Sequence, residues 1–430
     1  MKRIAPFIVL LLLAPQFCFA ADTPKAKNVI LMIGDGMGFN SHIAGSYYRY
    51  GELGKQSVDS FPVHVGMTTF AQRKGGVPIP AGERGYDPEL FWKSAKGTDA
   101  GPSSTTTDSA AASTALHSGS KTISGRIGMS DTKQPLVLLP EIAAKTGRVS
   151  GVVTTVQASH ATPAGFSAHN EKRGNYPEIF TEMYEKSPLS VITGAGHPHP
   201  AFDSGSDKDP YKYVGSEEVW KKIEAESSKP VLERSKFVHI VPSRGDIPAV
   251  DGFVTNDKTD EAKAKAAFAK IYKIKDLDII DKIPTLTDLS IEALDILAKK
   301  GDKGFVIMIE GGAIDHGNHA RNIRHASYEH VAFMKAIEAV CKWVEENSSW
   351  DETLLIVTAD HATGAIWGPG TYEDENDNGN FDEGDTFNGF VPVENKGAGN
   401  FAGVQYASGG HTNAIVPLWA KGVGSKLFID

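Results

Sequence analysis

Five short apolar runs govern what this 430-residue chain can fold into. They are NVILMI at 28–33, VSGVVTT at 149–155, FVIMI at 305–309, TLLIVT at 353–358 and AIVPLWA at 414–420. All are rich in Val and Ile and nearly continuous, without the alternation of a sheet that wets one face. A run of this kind belongs to a strand covered on both sides, as in an α/β sheet. Helical patterns lie between several of them. One falls within 130–145, and residues 319–346 read as a single long helix with Val331, Met334, Ile337, Cys341 and Val344 near one face. Cys341 is then a core residue.

The ends of these strands carry the chemistry. The first ends in Gly34-Asp35-Gly36 and the second near Ser159-His160-Ala161-Thr162. The third runs into Glu310, then Asp315-His316-Gly317-Asn318-His319, the fourth ends in Asp360-His361, and His411 precedes the fifth. Open α/β sheets bind ligands beyond the carboxyl ends of their strands. Burying these groups unpaired against apolar strands would be costly, so a purely structural role does not account for them. Asp315 and His319 are four apart and face one way on a helical turn. Mixed oxygen and nitrogen donors suit zinc, whereas an oxygen-only subset suits magnesium.

Ser109 lies in TTTDSAAASTAL, where an alanine-rich helix begins and Asp108 or Ser109 can cap it. A hydroxyl at a helix start also meets a phosphate where backbone N–H groups favour the anion. A neighbouring metal would make it a nucleophile. Arg173, in SAHNEKRGNY, can clamp two phosphate oxygens, although alone it would pass for a surface arginine.

The remaining stretches frame this core. Residues 1–20 have the layout of a cleaved signal peptide: Lys2-Arg3, an apolar run too short for an anchor, then CFA. The domain proper is then 21–430, with loop-rich or helical insertions around 71–106, 200–300 and 362–410. The formal charge of −9, with no long basic block, argues against a nucleic-acid groove. Within the last insertion, Asp374, Asn376, Asn378, Asp382 and Asp385 fall at the spacing of a calcium loop, with Gly379 at its sixth position. The alternative is a solvated acidic loop.

Taken together, the segments VILMIGDGMG, TTDSAAASTAL, HATPAGFSAH with Arg173, IEGGAIDHGNH, IVTADHAT and GGHTNA resemble the alkaline phosphatases. The resemblance implies a three-layer α/β/α sandwich with a large, mostly parallel sheet. It also implies a homodimer, periplasmic or secreted, without a permanent membrane anchor, acting on small phosphate monoesters. Carried across residue by residue, it makes Ser109 the serine that is phosphorylated and Arg173 the phosphate-binding arginine. It assigns Asp315, His319 and His411 to one zinc, Asp35, Asp360 and His361 to a second, and Asp35, Thr162 and Glu310 to magnesium. His160 and His316 stand where the best-known enterobacterial pattern has Asp and Lys, and resemble the animal and some marine or cold-adapted bacterial enzymes. His160 is then a neighbour of the magnesium site and His316 a substrate-binding residue. A metal-dependent phosphodiesterase or sulfatase, or a non-catalytic exported metal-binding or adhesion module, are the competing readings. Ser109 together with Arg173 favours the monoesterase.

Overall fold

The computed structural model describes residues 25–73, 88–96, 104–198, 209–243, 245–252, 266, 269–272 and 283–429. The signal-peptide expectation for 1–20 lies outside them, as do parts of the 71–106 and 200–300 insertions.

All five apolar runs are strands. In chain order the sheet takes β1 (Asn28–Gly34), β2 (Val63–Met67), β3 (Val149–Gln157), β4 (Leu189–Ala195), β5 (Phe237–Ile240), β6 (Phe305–Gly311) and β7 (Thr353–Thr358). The chain then makes three small ribbons. In them β8 (Ala362–Thr363) pairs with β13 (His411–Thr412), β9 (Ile366–Trp367) with β12 (Gln405–Tyr406), and β10 (Tyr372–Glu373) with β11 (Thr386–Phe387). β14 (Val416–Gly422) returns to complete eight strands in the order β2-β14-β7-β1-β6-β3-β4-β5. β14 runs antiparallel to both neighbours, and the other pairings are parallel. The helices are α1 (Phe39–Tyr50), α2 (Pro88–Ala95), α3 (Ser109–Ser118), α4 (Leu139–Lys145), α5 (Ala161–Ser167), α6 (Tyr176–Glu185), α7 (Glu217–Ser227), α8 (Leu286–Lys300), α9 (Ala313–His319) and α10 (Ile323–Asn347).

The period-2 geometry of a strand explains the three layers. Ile30 and Met32 of β1 enter one core with Leu289 and Leu294 of α8 and Phe333 and Val340 of α10. Leu31 and Ile33 enter the other with Ala110 of α3, Ala143 of α4 and Ile179 and Phe180 of α6. Each such side chain contributes about 1.5–3 kcal/mol when fully buried, which is why both faces of the strands are apolar.

Three features differ from the sequence reading. β2, β4 and β5 add strands to the sheet, β5 within the 200–300 segment read as helical. Only Leu139–Lys145 of the 130–145 pattern is helical, because Ser130 to Gln134 forms a turn with Lys133 at φ 65°. The long helix read over 319–346 starts four residues later, at Ile323. α9 stops at His319, Arg321 takes φ 50°, and the Asn322 side chain accepts the N–H groups of Arg324 and His325 to start α10.

α3 and α5 meet through small residues. Ser113 Oγ donates to the Thr162 carbonyl at 2.7 Å, and a Cβ on Gly165 would lie 2.6 Å from that Oγ. Alanine normally stabilises a helix relative to glycine by about 1 kcal/mol. Gly165→Ala is therefore predicted to reverse that sign and cost about 1–3 kcal/mol through overpacking, read by urea unfolding. A variant as stable as the parent would show that the two helices can separate freely.

Candidate metal centre

Parallel strands end at one edge of the sheet, so β1, β3, β6 and β7 deliver their terminal residues to one place. Three groups of ligand atoms converge there: Asp315 with His361 and His411, Asp35 with Asp360 and His361, and Asp35 with His160 and Glu310. His319 joins the first group, its Nε2 lying 3.2 Å from Asp315 Oδ2 and 2.9 Å from His411 Nε2. Thr162 joins the third by donating to Asp35 Oδ2 at 3.2 Å. His160, expected as a neighbour, thus stands among the ligand atoms of that group.

The histidines are set by what their Nδ1 atoms face. His319 Nδ1 lies 2.6 Å from the Gly409 carbonyl, and His411 Nδ1 lies 2.9 Å from the Thr107 carbonyl. A carbonyl only accepts, so each Nδ1 carries a proton and each Nε2 presents a lone pair. Thr363 Oγ1 donates to Asp315 Oδ1 at 2.6 Å, so it accepts from His361 Nδ1 at 3.2 Å. His361 Nε2 is left free, 3.2 Å from Asp360 Oδ2, 3.4 Å from Asp35 Oδ1 and 3.2 Å from Ser109 Oγ. Lone pairs of His319 and His411 facing each other at 2.9 Å require a cation or proton between them.

The carboxylates give the same answer. Asp35 Oδ1, Asp360 Oδ2 and Glu310 Oε1 are buried without a hydrogen-bond partner, as is His160 Nδ1. Burial, with Asp360, Asp315 and Glu310 alongside, holds Asp35 well above the usual carboxylate range. Burial, reinforced by Asp315, pushes Asp360 up to about 8, and burial pushes Glu310 up to about 6. Asp315 goes the other way. Burial opposes its ionisation, but the His319 hydrogen bond, with His361 and His411 alongside, holds it far below the usual range. Bound cations would reverse the upward shifts. Orphaned oxygens, free imidazole nitrogens and mixed N/O donors all fit metal ions.

Ser109 opens α3, but Asp108 is the cap: its Oδ1 accepts from Ala111 N at 3.0 Å. Ser109 Oγ is thereby free to face His361. Asp108 Oδ2 also accepts from Arg173 at 3.0 Å and from Gly125 N at 2.9 Å. Arg173 continues to His160 Nε2 at 3.4 Å. His316 stands edge-to-face against His160, and its Nδ1 lies 2.9 Å from both oxygens of Asp246. Burial pulls the His316 imidazole down, but Asp246, helped by Asp315 and Glu310, raises it to about 9. The floor of the site is buried, whereas the side chains of His319, His316 and Arg173 are 39%, 31% and 29% exposed and mark the open rim.

All the site residues read from the sequence gather here except the 374–385 group. That loop closes on itself. Asp374 accepts from the N–H of Asn378 and Gly379, Asp382 holds the Asn376 and Asn378 amides, and Asp385 accepts from the N–H of Glu375 and Asp382. Arg321 ties it to the end of α9 by donating to the Gly379 carbonyl at 2.6 Å. The sequence reading missed Thr363, Thr154, which donates to Glu310, and the carboxylates of Asp108 and Asp246 that hold Arg173 and His316. The spacing of His361 and Thr363 on one face of an extended segment could have pointed to Thr363. Nothing in the sequence points to Asp246.

The fold and these clusters define an α/β/α protein with three groups of candidate metal ligands beside a helix-start serine. The family model for alkaline phosphatase matches residues 26–415, and the chain belongs to that family. It is 29% identical to alkaline phosphatase 4 of Bacillus subtilis (strain 168) over 80% of this chain. It is 29% identical to alkaline phosphatase 4 of Drosophila melanogaster over 79%, and 28% identical to the repressible alkaline phosphatase of Saccharomyces cerevisiae over 84%. The chain spans 63%, 56% and 59% of the lengths of these relatives. Among solved structures, the alkaline phosphatase of the Antarctic bacterium TAB5 shares the fold, with a TM-score of 0.60, 24% identity and 94% of each chain covered. A cold-active alkaline phosphatase from Shewanella sp. gives 0.61 and 24%, covering 93% of this chain and 95% of that one. Two variants of the TAB5 enzyme have magnesium bound in a site called M3.

Because Thr363 touches both His361 and Asp315, Thr363→Val is predicted to weaken divalent-metal binding by about 10–100-fold, measured by equilibrium dialysis with zinc. Parental affinity in that variant would remove Thr363 from the supporting shell.

Proposed function

We propose that the protein is an exported phosphomonoesterase that hydrolyses small phosphate monoesters through a phosphoserine at Ser109, and that it acts as a homodimer. The observation that carries this reading is Ser109 Oγ at 3.2 Å from the free Nε2 of His361, with Arg173 held by the adjacent Asp108. On this reading Asp315, His319 and His411 hold one zinc and Asp35, Asp360 and His361 a second. Asp35, Thr162 and Glu310 hold magnesium beside His160. Bound there, the ions supply Lewis acidity, lowering the serine pKa and offsetting charge on the phosphoryl and leaving oxygens.

The chain's own residues do the rest. Arg173 grips two non-bridging phosphoryl oxygens in the plane that Asp108 imposes. Ser109 Oγ bonds to phosphorus as the ester P–O bond breaks, and the serine proton is balanced by that of the departing alcohol. A water oxygen then bonds to phosphorus as the Ser109 Oγ–P bond breaks, releasing inorganic phosphate and restoring the hydroxyl. The buried floor strengthens each electrostatic contact, while the exposed rim leaves room for the ester's alcohol.

Export, to the periplasm or outside the cell, is supported by the signal-peptide layout of 1–20. Among the described residues no helix is long and apolar enough to cross a membrane. Residues 21–430 then form one catalytic domain with its insertions. Calcium in the 374–385 loop is part of the same proposal, as a structural ion. Gly379 at the sixth position takes the φ of 72° that such a sharp turn favours.

Metal-loaded protein is predicted to hydrolyse p-nitrophenyl phosphate far faster than the bis(p-nitrophenyl) diester and to trap phosphoserine on acid quenching. Ser109→Ala should lower kcat by about a thousandfold or more and abolish the trapped species. Preference for the diester would favour a phosphodiesterase, and no phosphoserine in the parent would favour a non-catalytic metal-binding protein. Calorimetric titration tests the two other cation assignments. His160→Asp adds a charge beside Asp35 and Glu310 and should tighten magnesium binding by about tenfold. Asp374→Ala with Asp382→Ala should abolish calcium uptake. Unchanged magnesium affinity, or a parent that takes up no calcium, would reject the respective assignment.

A further inference from the structure

The open rim carries two basic arms, each backed by a carboxylate. Asp108 backs Arg173, and it also caps the helix that begins with Ser109. The second arm is His316, seventy positions from the acid that holds it: both oxygens of Asp246 lie 2.9 Å from its Nδ1. We propose that Asp246 is a positioning residue for phosphate recognition, holding the His316 ring so that its Nε2 edge meets the bound phosphoryl group. The inference deepens the phosphomonoesterase reading and rests on it.

The geometry makes Asp246 a fixed support. A carboxylate only accepts, so the His316 Nδ1 proton points at Asp246 and Nε2 lies across the ring from it. The Asp246 side chain is only 17% exposed. Its segment is pinned by Ile247 N–H donating to the Thr155 carbonyl at 2.6 Å and by Ser243 Oγ donating to the Asp246 carbonyl at 2.9 Å. His316 hangs from the same strand residue, because Gly312 N–H, at the start of α9, donates to Thr155 Oγ1 at 2.9 Å. Thr155 therefore sets the distance between acid and imidazole. The ring's only described aromatic neighbour is His160, at 5.8 Å between centroids, and His160 leads on to Arg173. His316 is thus in line with the phosphate-gripping arginine. Asp246 facing a phosphate dianion directly would repel it, so any benefit must pass through His316.

Asp246→Ala and Asp246→Asn, each alone and the former with His316→Ala, separate this role from simple packing. Asp246→Ala is expected to raise both KM for p-nitrophenyl phosphate and the inhibition constant of inorganic phosphate by about tenfold, the loss of one charge-assisted hydrogen bond. The isosteric Asp246→Asn should move both constants in the same direction, and kcat should change far less. In the His316→Ala background, removing Asp246 should add nothing. Constants within about twofold of the parent, or effects that multiply in the double variant, would overturn the inference. Metal content and thermal midpoint are read on every protein. Loss of metals or of the fold in both single variants would make Asp246 a scaffold residue and likewise overturn it. If the metal-loaded parent does not hydrolyse the ester, the phosphatase reading fails instead. Binding of inorganic phosphate to the same proteins by calorimetry would still decide Asp246.

Discussion

Four carboxylates buried together are the constraint on which the rest of the structure turns. Asp35, Glu310, Asp315 and Asp360 are 0%, 0%, 5% and 2% exposed. Two like charges about 4 Å apart repel by about 4 kcal/mol even at an effective dielectric constant of 20. Without cations the chain can relieve this only by protonating acids, which is the direction in which Asp35, Asp360 and Glu310 are displaced. No packing argument places acids at the ends of strands as apolar as β1, β6 and β7. A sheet that brings them together has to be rigid enough to bear the repulsion, and the two cores on either side of it supply that rigidity.

The supporting residues translate that constraint into chemistry. Two backbone carbonyls and one threonine hydroxyl hold the protons of His319, His411 and His361 on the far side of each ring. Three Nε2 lone pairs then point inward with no rotamer search left to make. Metal affinity is gained in this way by ligands that are already correctly protonated and oriented. The arrangement also separates tasks. His361 is shared by two ligand groups and faces Ser109, whereas His319 sits at the rim.

Much of this was legible in the sequence, and the failures have physical causes. β1, β3, β6, β7 and β14 announced themselves because strands buried on both faces need continuous Val and Ile. β2 and β5 were missed because they are the edge strands, where one side lacks a partner and the apolar signal weakens. The start of α10 was read four residues early because a left-handed Arg321 leaves little trace in composition. The metal-ligand candidates were readable because acids and histidines at the ends of apolar strands cost stability unless they bind something. Asp246 was not, because its partner is seventy positions away and the contact depends on Ile247 being held to Thr155 of β3. Asp108 was seen as a cap, and the sequence could not reveal that its second oxygen also holds Arg173.

The third ligand group shows how one residue can redistribute charge without changing the scaffold. Burial, with Arg173 close by, pushes the His160 imidazole down to about 3, so it is a neutral donor between two basic arms. An acid there would add a third negative charge to Asp35 and Glu310 and a direct partner for Arg173. It would compete with Asp108 for the guanidinium and add negative charge to the third ligand group. Neutral His160 does the reverse. It leaves Asp108 as the carboxylate that holds Arg173 and Asp246 as the one that holds His316. The rim is thereby weighted toward positive charge, and the third ligand group carries fewer negative charges than an acid at 160 would give it.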